Sequence, residues 1–303
     1  MIHADDVASL AASSGLGRAV VAVSVRYPGG QVDWQQGCAP AERFYAASLS
    51  KQVTAAAVAL LVQRELLDVD APIGEFLSDL PAWRNEVTSR HLLHHLGGMV
   101  EPDCMAGPGH WTSSLALERL RESPGLATVP GTAYRYSNSG YICLEGIVER
   151  VSGQSFPRFV RAQLFEPLGL SDLDFTAIPD SAQLAGMGEI LPLSLGDGGI
   201  WTTSSAFADW LDHQNRDTLR LEALVQQPGR LRDGTATDYG WGIGLREFRN
   251  RPFFIHGGRW PGATAKAVRC PALGISVAAF SWSSDQDSTN ALVDGLMDRL
   301  KPN

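Results

Sequence analysis

A serine and a lysine three residues apart, Ser48-Leu49-Ser50-Lys51, open the stretch FYAASLSKQVTAAAVALL, residues 44–61, which then runs almost without polar groups. A helix start more often reads Ser or Thr followed three residues on by Glu or Gln, because the acid reaches back to free amides at the positive end. Here the spacing is kept and the sign is reversed, which costs a few tenths of a kcal/mol to about 1. Residues three apart share a helix face, so the Ser48 hydroxyl and the Lys51 amine are placed to meet. Serine is a poor nucleophile unless a neighbouring base takes its proton. A lysine takes it only where burial or a positive neighbourhood favours the neutral amine, and the positive end of a buried helix offers both. Taken alone, the pattern is also that of a serine N-cap followed by an exposed lysine.

Two further runs carry polar groups of a complementary kind. PGTAYRYSNSGY contains Tyr136-Ser137-Asn138. Read as an extended loop, it points residues two apart the same way, so a phenol and an amide present together; Tyr134 and Tyr141 lack such an Asn and are expected in the core. FFIHGGRWPG places His256-Gly257-Gly258 on a strand-like run, with glycines that let a ligand approach the backbone closely.

These residues need a frame. Residues 3–14 are expected as a short helix, and RAVVAVSVRYPGGQVDWQQG as two strands about a Pro-Gly-Gly turn. A helix over 48–67, apolar nearly all round, belongs in the centre of the fold. From 68 to 235 helical segments alternate with Gly and Pro. YGWGIGLREF, RPFFIHGG, ATAKAVRCP and LGISVAAFSW are four β-like runs, and QDSTNALVDGLMDRL closes as an amphipathic helix. The expected fold class is α/β (α+β): an antiparallel sheet built from both termini and flanked by helices, with an inserted, mostly helical lobe. The expected division is 1–67 with 236–303 as the sheet lobe and 68–235 as the helical lobe, the active site lying between them.

With these runs in hand, the sequence resembles the penicillin-recognising serine hydrolases, and within them the class C β-lactamase-like group. That group includes carboxylesterases, D-alanyl-D-alanine carboxypeptidases and D-aminopeptidases. Its motifs, Ser-x-x-Lys, Tyr-x-Asn and Lys or His-x-Gly, stand here in order as SLSK, YSN and HGG. Connecting text such as TSRHLLHHLGGM and GDGGIWTTSSAFADWL extends the resemblance over about residues 40–285. It implies a serine β-lactamase/transpeptidase-like fold and roles for matching positions. Ser48 would form an acyl-enzyme, Lys51 would accept its proton, and Tyr136 would shuttle that proton to the leaving group. Asn138 would bind the acyl amide or hold Lys51. The backbone N–H groups of Ser48 and Arg259 would form an oxyanion hole, a device worth about 3 to 4 kcal/mol per donor. His256 and Gly258 would face substrate. A lysine in the third motif carries a fixed charge, whereas a histidine loses its own near pH 6.5. That favours the esterase or aminopeptidase end, unless Arg259 replaces the charge. Gly97 stands where the group often has serine.

The reading is thus a serine hydrolase acting through an acyl-enzyme on a small-molecule ester or amide. An acyltransferase passing the acyl group to an amine or alcohol is the alternative, and a β-lactamase or non-catalytic binding module of the same fold is the second. No G-x-S-x-G elbow occurs, which disfavours an α/β-hydrolase, and LGDGGIW is no phosphate loop, since no Lys-Ser/Thr follows. His91, His94 and His95 have the spacing of a metal edge, but no Cys or carboxylate follows at ligand spacing, so neither metal nor cofactor is expected. Trp111, Trp201, Trp241 and Trp260 divide between core and cleft wall. The 303 residues are 44% hydrophobic and 19% charged with a net charge of -8, an ordinary globular composition that carries no basic footprint for nucleic acid. No apolar run reaches 18 residues, so no membrane span is expected. The acidic start, MIHADDVASLAASSG, lacks the pattern of a secretory signal. Scattered Cys38, Cys104, Cys143 and Cys270 suggest reduced thiols in a cytoplasmic protein. The oligomeric state is left open.

Overall fold

The computed structural model describes residues 2–101, 111–123, 125–175, 187, 192–248 and 250–300. Along the chain run α1 (Ala4–Ala11), β1 (Val20–Tyr27), β2 (Gly30–Gln36), β3 (Phe44–Tyr45), α2 (Lys51–Gln63), α3 (Ser89–Leu93), β4 (Trp111–Thr112), α4 (Ser113–Arg121), α5 (Asn138–Ser152) and α6 (Phe156–Val160). There follow β5 (Leu173–Asp174), β6 (Pro192–Leu193), β7 (Trp201–Thr202), α7 (Ser204–Asn215), α8 (Glu222–Val225), β8 (Gly244–Phe248), β9 (Arg251–Trp260), β10 (Ala263–Cys270), β11 (Ile275–Trp282) and α9 (Gln286–Leu300).

Both termini build one six-stranded sheet in the order β2-β1-β11-β10-β9-β8. Its named pairs are antiparallel, with Val23 opposite Ala279 and Arg259 opposite Thr264. β1 and β11 are largely apolar and buried along their length because both faces are covered. Val21, Val23 and Val25 of β1 and Val277 and Ala279 of β11 pack with Val7, Leu292 and Leu296 of α1 and α9. Ala22, Ala278 and Phe280 point the other way, into the larger core with α2 and α7. The strands of this sheet and both terminal helices lie where the sequence places them, the first α-helix ending at Ala11 rather than 14; the short strands β3 to β7 are not among those expected.

α2 runs through that larger core, buried from Lys51 to Leu61. It ends at Gln63, four residues before the expected 67. Glu65 takes the left-handed conformation, φ 58°, and Leu66 N–H bonds back to Leu61 C=O at 2.9 Å. This is a Schellman-type stop made without glycine. Ser48 lies in a 3₁₀ turn, Ala47–Ser50, just before the α-helix proper. Among the described residues, no helix is long and apolar enough to cross a membrane.

Candidate active site

In a 3₁₀ turn side chains at i and i+3 eclipse, and this brings Ser48 and Lys51 together: Lys51 Nζ is 3.2 Å from Ser48 Oγ. Lys51 is fully buried. Its other two donor positions are occupied by Asn138 Oδ1 at 2.8 Å and the backbone carbonyl of Asp197 at 2.7 Å. Three parts of the chain thus converge on one nitrogen.

Asn138 is not in an extended loop, as the sequence suggests, but is the first residue of α5. Ser137 is the N-cap, its Oγ accepting from Gly140 N–H at 2.9 Å. Glu101 covers the same helix start: its carboxylate accepts from Ser137 Oγ at 2.5 Å, from Asn138 N–H at 3.1 Å and from Ser139 N–H at 3.3 Å. An anion there complements the helix dipole. Tyr136 immediately precedes this junction, and its ring centroid lies 5.0 Å from Lys51 Nζ. Behind it stands His95, ring centroids 4.3 Å apart. His95 is itself held in the left-handed conformation, φ 58°, with Nδ1 accepting from Ser137 N–H at 3.1 Å. Burial, then the Lys51 charge, hold the His95 pKa well below that of free histidine. Tyr141 is buried as expected, but Tyr134 is 41% exposed, as is Tyr136, and so is not core.

The third motif lies on β9. β8 pairs with β9 only as far as Ile255; among the described residues no strand covers the remaining edge, which packs on the Ala46–Ala47 backbone. Gly258 makes that approach possible: a methyl group there would run into the Ala46 carbonyl oxygen, whereas one at Gly257 would meet nothing closer than 3.9 Å. Ala47, next to Ser48, carries a strained φ of 47°. Arg259 follows on the same edge and lines a cleft of about 470 Å³ with Ser48, Asn138, Asp197, Tyr45 and Trp260. That size suits a small ligand. Trp260 is therefore the cleft-wall tryptophan, while Trp201 and Trp241 are buried. The side chain of Trp111, like Cys104, lies outside the described residues.

His256 departs from expectation. It is buried and is absent from the cleft lining among the described residues. Its Nδ1–H donates to the Gly257 carbonyl at 2.6 Å and its Nε2 accepts from Tyr239 Oη at 2.9 Å. Burial first, and the Lys51 charge second, push its pKa down to about 3. It is neutral throughout the physiological range and is no switch near 6.5. The other histidines have separate partners: His94 Nε2 accepts from Trp241 Nε1–H at 3.1 Å and its Nδ1 faces the Tyr239 carbonyl at 3.2 Å, while His91 Nδ1 accepts from Thr88 N–H at 3.2 Å.

Sequence reasoning missed the loop before β7. Gly196 N–H donates to Glu145 Oε2 at 2.7 Å, Ser113 Oγ–H donates to the same oxygen at 2.7 Å, and Gly196 C=O accepts from Thr54 Oγ1 at 2.7 Å. These bonds set the Asp197 carbonyl against Lys51. Burial drives the Glu145 carboxyl up to about 7. The available signal was an acid between glycines in LGDGGIW, and an acid, Glu145, seven residues after Asn138 on the buried side of α5.

A sequence model of the family described as beta-lactamase matches residues 9–295. The chain is 27% identical over 263 residues to penicillin-binding protein 4* of Bacillus subtilis, covering 75% of this chain and 57% of that protein. It is 26% identical over 241 residues to a D-aminopeptidase of Brucella anthropi, covering 74% and 46%. The chain spans about half the length of these curated relatives. A crystal structure of D-amino acid amidase from Ochrobactrum anthropi SV3 superimposes with a TM-score of 0.82 at 21% identity, covering 99% of both chains, and so shares the fold.

Proposed function

The chain belongs to the beta-lactamase family, and from that premise we propose that it is a serine hydrolase that cleaves small-molecule esters or amides through an acyl-enzyme. The observation that carries this reading is the buried Lys51 nitrogen. Two of its positions are taken by acceptors, Asn138 Oδ1 and the Asp197 carbonyl, and the remaining one faces Ser48 Oγ. In the neutral amine that remaining position is the lone pair, so the geometry aims a base at the nucleophile. Ser48 Oγ attacks the carbonyl carbon, its proton passes to Lys51, and the oxyanion receives the N–H groups of Ser48 and Arg259. Tyr136, beside Lys51, hands the proton to the leaving amine or alcohol. Water, deprotonated by the same pair, then attacks the acyl-enzyme, releasing acid and restoring Ser48.

In this reading Asn138 holds Lys51 rather than the substrate. Gly258 lets the β9 edge come close enough for the Arg259 N–H to serve. His256 supports the site from inside as a neutral group, and any positive charge offered to a substrate comes from Arg259. The division into lobes 1–67 with 236–303 and 68–235 fits a cleft walled by Ser48 and Arg259 from one part and Asn138 and Asp197 from the other. A cytoplasmic setting is supported by the free thiols of Cys38, Cys143 and Cys270.

The test is labelling with a fluorophosphonate followed by peptide mapping. The adduct is expected on Ser48, lost in Ser48→Ala and slowed at least about 100-fold in Lys51→Ala, the usual scale for a general base. Labelling on Ser50 or Ser137, or unaltered labelling in Ser48→Ala, overturns the assignment.

A further inference from the structure

We propose that Asp197 is the specificity residue of this cleft and receives a substrate ammonium, so that the preferred acyl group carries a free amine beside the scissile carbonyl, as in amino-acid amides and esters. The proposal rests on the hydrolase reading above and names its substrate class.

Asp197 lines the cleft with Ser48 and is only 9% exposed. Its Oδ1 is sealed from solvent and has no hydrogen-bond partner. Among the described residues nothing donates to either carboxylate oxygen, and no cation pairs with it. An acid withdrawn from water this far normally has a partner, because an unpaired buried charge is costly. The neighbouring cations do not supply one. The Lys51 nitrogen has three positions besides its carbon, and these face Ser48 Oγ, Asn138 Oδ1 and the Asp197 backbone carbonyl, which leaves none for the Asp197 carboxylate. Arg259 shares the cleft and makes no ion pair with Asp197.

The backbone that carries the carboxylate is also held in place. Its own carbonyl is bonded to Lys51, and the preceding Gly196 is tied at both its N–H and its carbonyl, to Glu145 and Thr54. The carboxyl group is therefore carried on a held backbone in a residue that lines the cleft beside the reacting serine. A compact cation with several donors, placed close to the acylated carbon, is the group that satisfies it. An α-ammonium meets both conditions. A simple neutral acyl chain leaves the carboxylate unpaired, and an N-acylated amine brings a bulky neutral amide to the same place.

The experiment compares the D and L forms of alanine p-nitroanilide with their N-acetyl derivatives and with p-nitrophenyl propionate, in the unmodified protein and in Asp197→Asn. The unmodified protein is expected to favour a free-amine anilide over its N-acetyl form. In Asp197→Asn the ratio of kcat/KM for that anilide to kcat/KM for the propionate ester should fall about 10- to 150-fold, the scale of a hydrogen bond to a charged group. A second measurement covers a variant that fails to fold: in the unmodified protein, alaninamide should inhibit ester hydrolysis competitively and N-acetylalaninamide should not. Equal turnover of free and acetylated anilides, equal inhibition by the two amides, or an unaltered ratio in Asp197→Asn overturns the proposal. An equal loss on ester and anilide also overturns it, since Asp197 then acts on Lys51. The hydrolase reading fails separately, by absence of the Ser48 adduct, whereas the ammonium proposal fails with that adduct intact.

Discussion

Replacing Glu145 by glutamine should change how the stability of the protein depends on pH. Glu145 is buried, and burial raises its carboxyl from 4.5 to about 7. The folded state thus binds a proton that the unfolded chain releases above 4.5. Stability is complete below 4.5, falls as pH rises through the interval to about 7, and is level above it. A rise of this size corresponds to a loss of about 3 kcal/mol between pH 4.5 and pH 8. Glutamine keeps an acceptor for the Ser113 hydroxyl and the Gly196 N–H, which both bond Oε2 at 2.7 Å, and it does not ionise. Glu145→Gln should therefore match the parent near pH 4.5 and exceed it by about 3 kcal/mol at pH 8. Urea unfolding at the two pH values reads this directly, as a shift of midpoint at constant slope. Parallel pH dependences for parent and variant would refute the reasoning and place the titration of Glu145 at the ordinary carboxylate value.

Two further outcomes follow from the β9 edge. Gly258→Ala should lower ester kcat/KM at least about 100-fold, the size of losing one oxyanion donor, because a methyl there displaces the Ala46–Ala47 segment; Gly257→Ala, with nothing closer than 3.9 Å, should retain most activity, and equal losses in the two variants would contradict the packing argument. The pH profile of ester kcat/KM should show no ionisation near 6.5 that disappears in His256→Asn, because burial and the Lys51 charge hold that ring neutral down to about 3; such an inflection would mean that His256 is exposed to solvent during turnover.

The sequence made the sheet legible because alternation, turns and chain ends all pointed to one arrangement. The Val-Ala-Val pattern of β1 and the Pro28-Gly29 turn are local signals, and the pairing of β1 with β11 closes both ends. The Ser48–Lys51 pair was legible for the same reason, since its geometry is set within one turn. What failed was structure fixed by distant partners. The Tyr136-Ser137-Asn138 run looks extended until Glu101 caps it as a helix start. α2 stops on a left-handed Glu65, a position without the glycine that usually marks it. His256 appears as a titrating group until Tyr239 and the Gly257 carbonyl fix its tautomer. The Asp197 carbonyl reaches Lys51 across 146 positions of sequence, a separation no spacing rule detects.

Three carboxylates, those of Glu101, Glu145 and Asp197, sit around the segments that hold Lys51, and their partners separate their duties. Glu101 accepts from one hydroxyl and two backbone amides at the start of α5, so its charge is spent on keeping Asn138 at the head of the helix. Glu145 accepts from a hydroxyl and an amide, enough to anchor the loop but not to offset its burial, and its carboxyl rises to about 7. Asp197 accepts nothing from the described residues, though it is nearly as buried and lines the cleft. Internal donors were available on the same elements and were directed to the first two. An acid placed in a cleft and left without a donor, while its neighbours are supplied, has its satisfaction reserved for what enters the cleft. That ordering distinguishes a binding group from a scaffold group without reference to motif, and it is why the ammonium assignment attaches to Asp197 and not to the other two.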